Sequence, residues 1–106
     1  MAVLSDDEIQ SMLSEGTLKI SGFNEKNLTP NGYDVTVDEV WVTTTDVRAR
    51  EGVARIPSGA WFVVATKEYF ELPPTIIGEI WIRTTWVRKG VLSSFGIIDA
   101  GFNGNL

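Results

Sequence analysis

The chain has 106 residues, a formal charge of −5 and 43% hydrophobic residues, and it contains neither Cys nor His. Its length suits one small domain, and four Trp, five Phe and two Tyr give it apolar surface to bury, which argues against disorder. Disulfides, a thiol nucleophile, a Ser-His-Asp triad and a zinc ion held by His or Cys are excluded, so any catalysis has to run on carboxylates, hydroxyls, Lys, Arg, backbone groups or a hard cation bound through oxygen.

The first element is read from Ser5-Asp6-Asp7-Glu8, a capping box in which the Ser5 hydroxyl accepts from the Glu8 N–H while the Glu8 carboxylate reaches back to Ser5. Three acids at a helix start suit the dipole. Ile9, Met12 and Leu13 make one apolar stripe and Gly16 is a natural stop, so a helix is predicted over 6–14. The residues ahead of it carry no basic n-region and no apolar h-region, so no leader is expected and the cytoplasm is the expected location. No run approaches the roughly 18 apolar residues of a membrane span, and no membrane partner is expected.

Beyond Gly16 the period shortens to two. Leu18 and Ile20 alternate with polar neighbours; Asn24 to Gly32 is predicted as a loop; Tyr33, Val35 and Val37 alternate again, and Val40 to Val42 begins a β-rich run. Ile56-Pro57-Ser58-Gly59 is a turn signature with Pro at its second and Gly at its fourth position. Ala60 to Ala65 is continuously apolar and is predicted to be a buried strand. Leu72-Pro73-Pro74 interrupts sheet pairing. Ile76 to Thr85 is predicted as a strand with Ile80, Ile82 and Thr84 on one face, and Val91 to Asp99 as another. Many short strands with little helix give an all-β barrel or jelly roll in a single domain over 1–106, with a short N-terminal helix. The sequence closes on Gly104-Asn105-Leu106 directly after a turn, with no further strand expected to cover the sheet edge.

Charge is uneven along this frame. Up to Glu79 there are thirteen acids and six bases, whereas from Ile80 onward Arg83, Arg88 and Lys89 stand against Asp99 alone. An acidic protein with one basic patch suits a small anion better than nucleic acid; a solvated strand end is the plainer reading. Within the patch, Thr84 and Thr85 lie between Arg83 and Arg88, and guanidinium groups offer bidentate, charge-assisted bonds to phosphate. Hydroxyls and freed N–H groups would complete an anion cradle; an ordinary strand with alternating exposed residues is the competing reading. Downstream, Gly96-Ile97-Ile98-Asp99-Ala100-Gly101-Phe102-Asn103-Gly104 sets a lone acid after an apolar strand. Asp99 there either binds a ligand hydroxyl or orients a water, or simply caps a β-turn while Phe102 fills the core.

Together, Arg83-Thr84-Thr85-x-x-Arg88-x-Gly90 and Ile98-Asp99-x-Gly101-Phe102-x-Gly104 resemble the dCTP deaminase/dUTPase superfamily, and the deaminases most. Leu4-Ser5-Asp6 resembles the deaminase N-terminus. Leu28-Thr29-Pro30-Asn31-Gly32-Tyr33-Asp34-Val35 resembles an early motif, and Glu68-Tyr69-Phe70-Glu71-Leu72-Pro73 resembles the segment before the nucleotide-binding strand. The likeness runs through nearly the whole chain in the family's order.

The resemblance implies a dUTPase-like distorted jelly roll, assembly as a homotrimer and active sites between subunits. It implies a nucleotide-binding segment of Arg83, Thr84, Thr85, Trp86, Val87 and Arg88, which carries the triphosphate and contributes to the base site. Thr84 stands where a serine positions the attacking water, and Arg88 is expected to reach a neighbour's site. Asp99 stands where an acid binds the deoxyribose 3′-hydroxyl and, in dUTPases, orients water; Phe102 stands where an aromatic lies beside the sugar. Thr84, Arg88 and Asp99 are thus the expected catalytic set. Magnesium is expected to arrive with the triphosphate, Asp34 being a candidate to influence it, and no zinc is expected: this superfamily deaminates with a glutamate base. Trp86, often a smaller aliphatic residue, is expected in trimer packing or as a wall of the base pocket.

Two departures stand out. The usual Ser-Ser pair is Thr84-Thr85, whose extra methyls stiffen the rotamer. The catalytic glutamate belongs a few residues past Gly104, and only Asn105 and Leu106 follow, so a C-terminally truncated member is expected. The expected function is deamination of dCTP to dUTP and ammonia; the alternatives are a dUTPase or bifunctional enzyme releasing pyrophosphate, and a nucleotide-binding fragment without catalysis.

Overall fold

The computed structural model describes residues 2–106. Helix α1 spans Asp6–Glu15, one residue longer than predicted, and its capping box is formed on both sides: the Ser5 hydroxyl accepts from the Glu8 N–H at 3.2 Å and the Glu8 carboxylate accepts from the Ser5 N–H at 3.4 Å. Gly16 ends the helix in the left-handed region (φ 76°), where the Gly16 and Thr17 N–H groups donate to the Leu13 and Met12 carbonyls. Ser5→Ala should destabilise the protein by about 1 kcal/mol and Ser5→Gly by only a few tenths, readable as the shift of the urea midpoint.

Strands follow in chain order: β1 (Lys19–Ser21), β2 (Leu28–Thr29), β3 (Gly32–Tyr33), β4 (Val37–Val42), β5 (Val47–Ala49), β6 (Phe62–Thr66), β7 (Tyr69–Glu71), β8 (Gly78–Ile80), β9 (Gly96–Ile98) and β10 (Asn103–Asn105). A second, five-residue helix α2 (Thr84–Arg88) lies between β8 and β9. The architecture is all-β with a short N-terminal helix, of the dUTPase-like type; the strands form four small antiparallel sheets and, among the described residues, close no barrel. Asn24 to Gly32, expected as loop throughout, contains a 3₁₀ turn at Glu25–Asn27 and the β2–β3 hairpin.

The core lies where α1 covers the sheet of order β1-β7-β10. Ile9, Leu18, Phe70 and Leu72 are buried together, with Met12 and Leu13 of the predicted helix stripe packed against them. The last residues correct the expectation of an ending without a strand: Asn103, Gly104 and Asn105 pair with Glu71, Phe70 and Tyr69. Thr66 and Leu106 extend the join, the Thr66 N–H donating to the Leu106 carbonyl at 2.8 Å, and the Asn105 side-chain amide donates to the Glu68 carbonyl at 2.9 Å. Gly and Asn are poor strand formers locally, and pairing to β7 overrides that preference.

A separate sheet of order β5-β4-β6 corrects two further expectations. The apolar run Ala60 to Ala65 supplies β6, yet Val63 and Val64 are exposed. The preceding turn is slipped by one residue: the Ala60 N–H donates to the Pro57 carbonyl, which puts Pro57 first and Gly59 third, where its φ of 76° is required. Across β4 and β5 the register sets Trp41 against Arg48, whose guanidinium lies over the indole at 4.4 Å, and Glu39 binds Arg48 and Arg50 at 2.7 Å each. The hydrogen bond from Arg48, then that from Arg50, holds the Glu39 carboxyl below its ordinary value of 4.5. A depressed folded pKa stabilises the fold above the unfolded value, and that contribution disappears as pH falls through the folded one. The urea midpoint of the wild type should therefore fall more steeply below about pH 4.5 than that of Glu39→Gln.

Candidate functional site

Strand β8 stops at Ile80 because its partner begins only at Gly96; past that pair, Trp81 and Phe95 close the ladder with their rings, 4.7 Å between centroids. Arg83 is extended (φ −66°, ψ 140°) and stands as the N-cap of α2 without a side-chain cap. Thr84 is therefore helical, not the strand residue expected, and this re-sorts the neighbours. In a strand Arg83 and Thr85 would share a face opposite Thr84; on a helix Thr84 and Arg88, four apart, lie one above the other. The turn ends through the Trp86 carbonyl, which accepts from Lys89 and Val91 at 3.0 Å each, and Gly90 follows with φ 87°. Arg83, Thr84, Thr85, Trp86, Val87 and Arg88 are all exposed. The Arg83 Nε lies 3.7 Å from an Asp34 carboxylate oxygen, an ion pair too long for a hydrogen bond.

Asp99 opens a tight turn at the other end of the β8–β9 hairpin. The Phe102 N–H donates to the Asp99 carbonyl at 3.1 Å, Gly101 sits third with φ 78°, and its N–H donates to the Pro73 carbonyl at 3.2 Å. That same carbonyl accepts from Ile76 at 3.2 Å, so the Pro73-Pro74 turn and the Asp99 turn are tied at one oxygen. The Asp99 side chain is exposed, whereas Phe102 is half-buried with its ring across Gly104, whose added Cβ would meet Cζ at 2.9 Å.

Among the described residues no hydrogen bond or ion pair joins these two groups within one chain. Gly78 pairs with Ile98 and Ile80 with Gly96, so Asp99 lies level with Ile77 while Arg83 lies beyond the far end of the ladder. Six residues separate the two levels, a reach of at most roughly 20 Å at 3.3 Å per residue. Two open grooves run along α1, one of them lined by Gln10, Leu13, Leu18, Lys19, Ile20 and Phe23, and touch neither group. Between the two ends the hairpin exposes Trp81, Trp86, Leu92, Phe95 and Ile97.

Two carboxylates gain a place that sequence reasoning did not assign. Asp34 was singled out only in relation to magnesium, and the fold sets it opposite Arg83. Glu68 was part of a quoted motif without a role; it is 1% exposed, and both its oxygens accept the Thr36 N–H, at 3.0 and 2.9 Å. No local pattern announces that bond, because its partners are 32 residues apart. Among the described residues no three carboxylates converge to hold a metal ion.

The fold and these two motif segments define a small all-β protein of the dUTPase-like type, with a basic helical turn and a lone aspartate carried on one hairpin. A family model described as dCTP deaminase-like matches residues 3–106. Among curated proteins the chain is 38% identical to a dCTP deaminase of Thermococcus sibiricus over 89 residues, which is 82% of this chain and 57% of that protein. It is 37% identical to a dCTP deaminase of Pyrococcus abyssi over 82% of this chain and 58% of the relative, and 26% identical to one of Ignicoccus hospitalis over 98% and 68%. The chain belongs to the dCTP deaminase-like family. It spans under three-fifths of the length of the first two of these relatives. No helix is long and apolar enough to cross a membrane.

Proposed function

We propose that this chain is the nucleotide-binding portion of a dCTP deaminase that works without zinc. Water adds at C4 of the cytosine, the bond from C4 to the exocyclic nitrogen breaks, and ammonia leaves with one proton of the water while the other ends on N3, giving dUTP for pyrimidine deoxynucleotide synthesis. Arg83 and Arg88 hold triphosphate oxygens, the Thr84 hydroxyl positions the water, Thr85, Trp86 and Val87 line the base and phosphate site, Asp99 accepts the sugar 3′-hydroxyl and Phe102 lies beside the sugar. The general base is the glutamate that the family carries past the position of Gly104. Magnesium would arrive with the triphosphate, and Asp34, paired with Arg83, is the carboxylate placed to influence it.

The observation that carries this reading is the placement of both family segments, exposed, at opposite ends of one hairpin. Such segments build a single site only if another copy brings its Asp99 end to this copy's Arg83 end. The apolar side chains exposed between them supply the contact surface that such packing needs. We therefore include a homotrimer with sites between subunits in the proposal, with Trp86 in the subunit contact.

Incubation with dCTP and with dUTP, measuring ammonia and pyrophosphate separately, tests the reaction. Ammonia from dCTP supports it. Pyrophosphate from dUTP favours the dUTPase or bifunctional reading, which the presence of Asp99 keeps in play. Binding of either nucleotide without turnover makes the chain a nucleotide-binding module, and no binding of either ends the reading. Asp99→Asn should cut the preference for deoxyribose over ribose-modified analogues by roughly 1–2 kcal/mol, since a charged acceptor becomes a neutral one. Competition binding checks this, and undiminished discrimination removes the sugar contact.

A further inference from the structure

The buried carboxylate of Glu68 takes part in nothing derived so far. A carboxylate withdrawn from water is costly unless its hydrogen bonds are good, and this one spends both oxygens on a single backbone N–H, that of Thr36. The same residue is held from its other side, where its carbonyl accepts from the Lys67 N–H at 2.9 Å. Two residues earlier the Asp34 N–H donates to the Asn27 carbonyl at 2.8 Å, and the Asn27 side-chain amide reaches the Thr36 hydroxyl at 3.4 Å. Residues 34–36 lie outside any strand, between β3 and β4, where no ladder fixes them. Glu68 and Asn27 do that instead, and the side chain they leave projecting is Asp34, facing Arg83.

We propose that Glu68 is a positioning residue: by clamping the Thr36 N–H it fixes the Asp34 carboxylate, and through Asp34 the guanidinium of Arg83 that grips the triphosphate. This rests on the proposed role of Arg83 for its functional consequence but not for its structural one. The Arg83 side chain has four rotatable bonds and is exposed, so an unaligned Arg83 must be ordered each time a phosphate arrives. An anchored anion beside Nε reduces that cost, and a buried clamp keeps the anion anchored.

The test reads the side-chain Nε–H resonances of the arginines by NMR in the ligand-free protein, with that of Arg83 assigned by its loss in Arg83→Lys. Asp34→Asn and Glu68→Gln should both shift the Arg83 resonance in the same direction. The Arg50 resonance, bound to Glu39 on another sheet, should stay in place. Calorimetry with dCTP should show each variant weakened about two- to fivefold, the span of an exposed ion pair, and should show no further loss when either is combined with Arg83→Ala. An unmoved Arg83 resonance in Glu68→Gln overturns the clamp. An additive loss in the Arg83→Ala background overturns it too, because a general loss of structure would act there as well. If Glu68→Gln does not fold, Glu68→Asp, which keeps the charge and draws it back by one methylene, carries the same resonance test with the same two outcomes. If the resonances shift as expected but Arg83→Ala binds dCTP normally, the clamp stands and the phosphate role of Arg83 falls.

Discussion

Arg83→Ala and Arg88→Ala should each weaken binding of dCTP by about 1.5–3 kcal/mol, the range for hydrogen bonds to charged groups, or roughly 10- to 150-fold. Both guanidinium groups are exposed, so neither is committed to the core, and losing either leaves the thermal midpoint close to that of the wild type. The loss at Arg83 is not the loss of its contact with Asp34. That pair is 3.7 Å apart and open to water, worth a fraction of the expected effect. Arg88→Lys separates charge from shape: a lysine keeps the charge but not the planar fork, so it should recover part of the affinity and not all. Calorimetry with dCTP and dUTP decides the matter, and unchanged affinity in both alanine variants would remove the phosphate cradle.

The second large effect concerns the fold. Phe70→Ala should cost about 3–5 kcal/mol, a sizeable share of the 5–15 kcal/mol that holds a typical domain together. Phe70 is buried at the centre of the β1-β7-β10 sheet, its register neighbours being Ile20 on one side and Gly104 on the other. Neither a glycine nor the ends of a three-residue strand can move in to fill the space it leaves. Val63→Ala, on the exposed side of β6, serves as the matched control and should change stability by less than about 0.5 kcal/mol. Urea unfolding of both variants followed by tryptophan fluorescence measures the contrast.

What was legible in the sequence was legible because it is local. The Ser5 to Glu8 capping box, the Gly16 stop and the Ile9, Met12, Leu13 stripe involve residues within one or two turns of each other, and the helix they predict is formed. Residue type also marked the Arg83 to Arg88 patch and Asp99. The misreadings share a non-local cause. Ile76 to Thr85 has the branched side chains of a strand, but strand length is set by the partner, and β9 offers only Gly96 to Ile98; past it the chain coils into α2. Ala60 to Ala65 is continuously apolar, and composition alone does not say that the chain leaves Val63 and Val64 open. The ending at Gly104-Asn105-Leu106 reads as punctuation, yet Asn103 to Asn105 form an edge strand because β7 is there to pair with them. The separation of Arg83 from Asp99 follows from a register that no single segment encodes.

The oxygen of Pro73, which accepts from both Ile76 and Gly101, ties the base of the β8–β9 hairpin to the body of the protein. Ile98 packs there against the buried cluster, while Trp81 and Leu92, past the other end of the ladder, are exposed. The hairpin is moored a second time beyond its ladder, where Arg83 meets Asp34, so it is a span resting on two piers and not a free arm. Cutting the Asp34 pier leaves the other one, at Pro73, to hold the span alone.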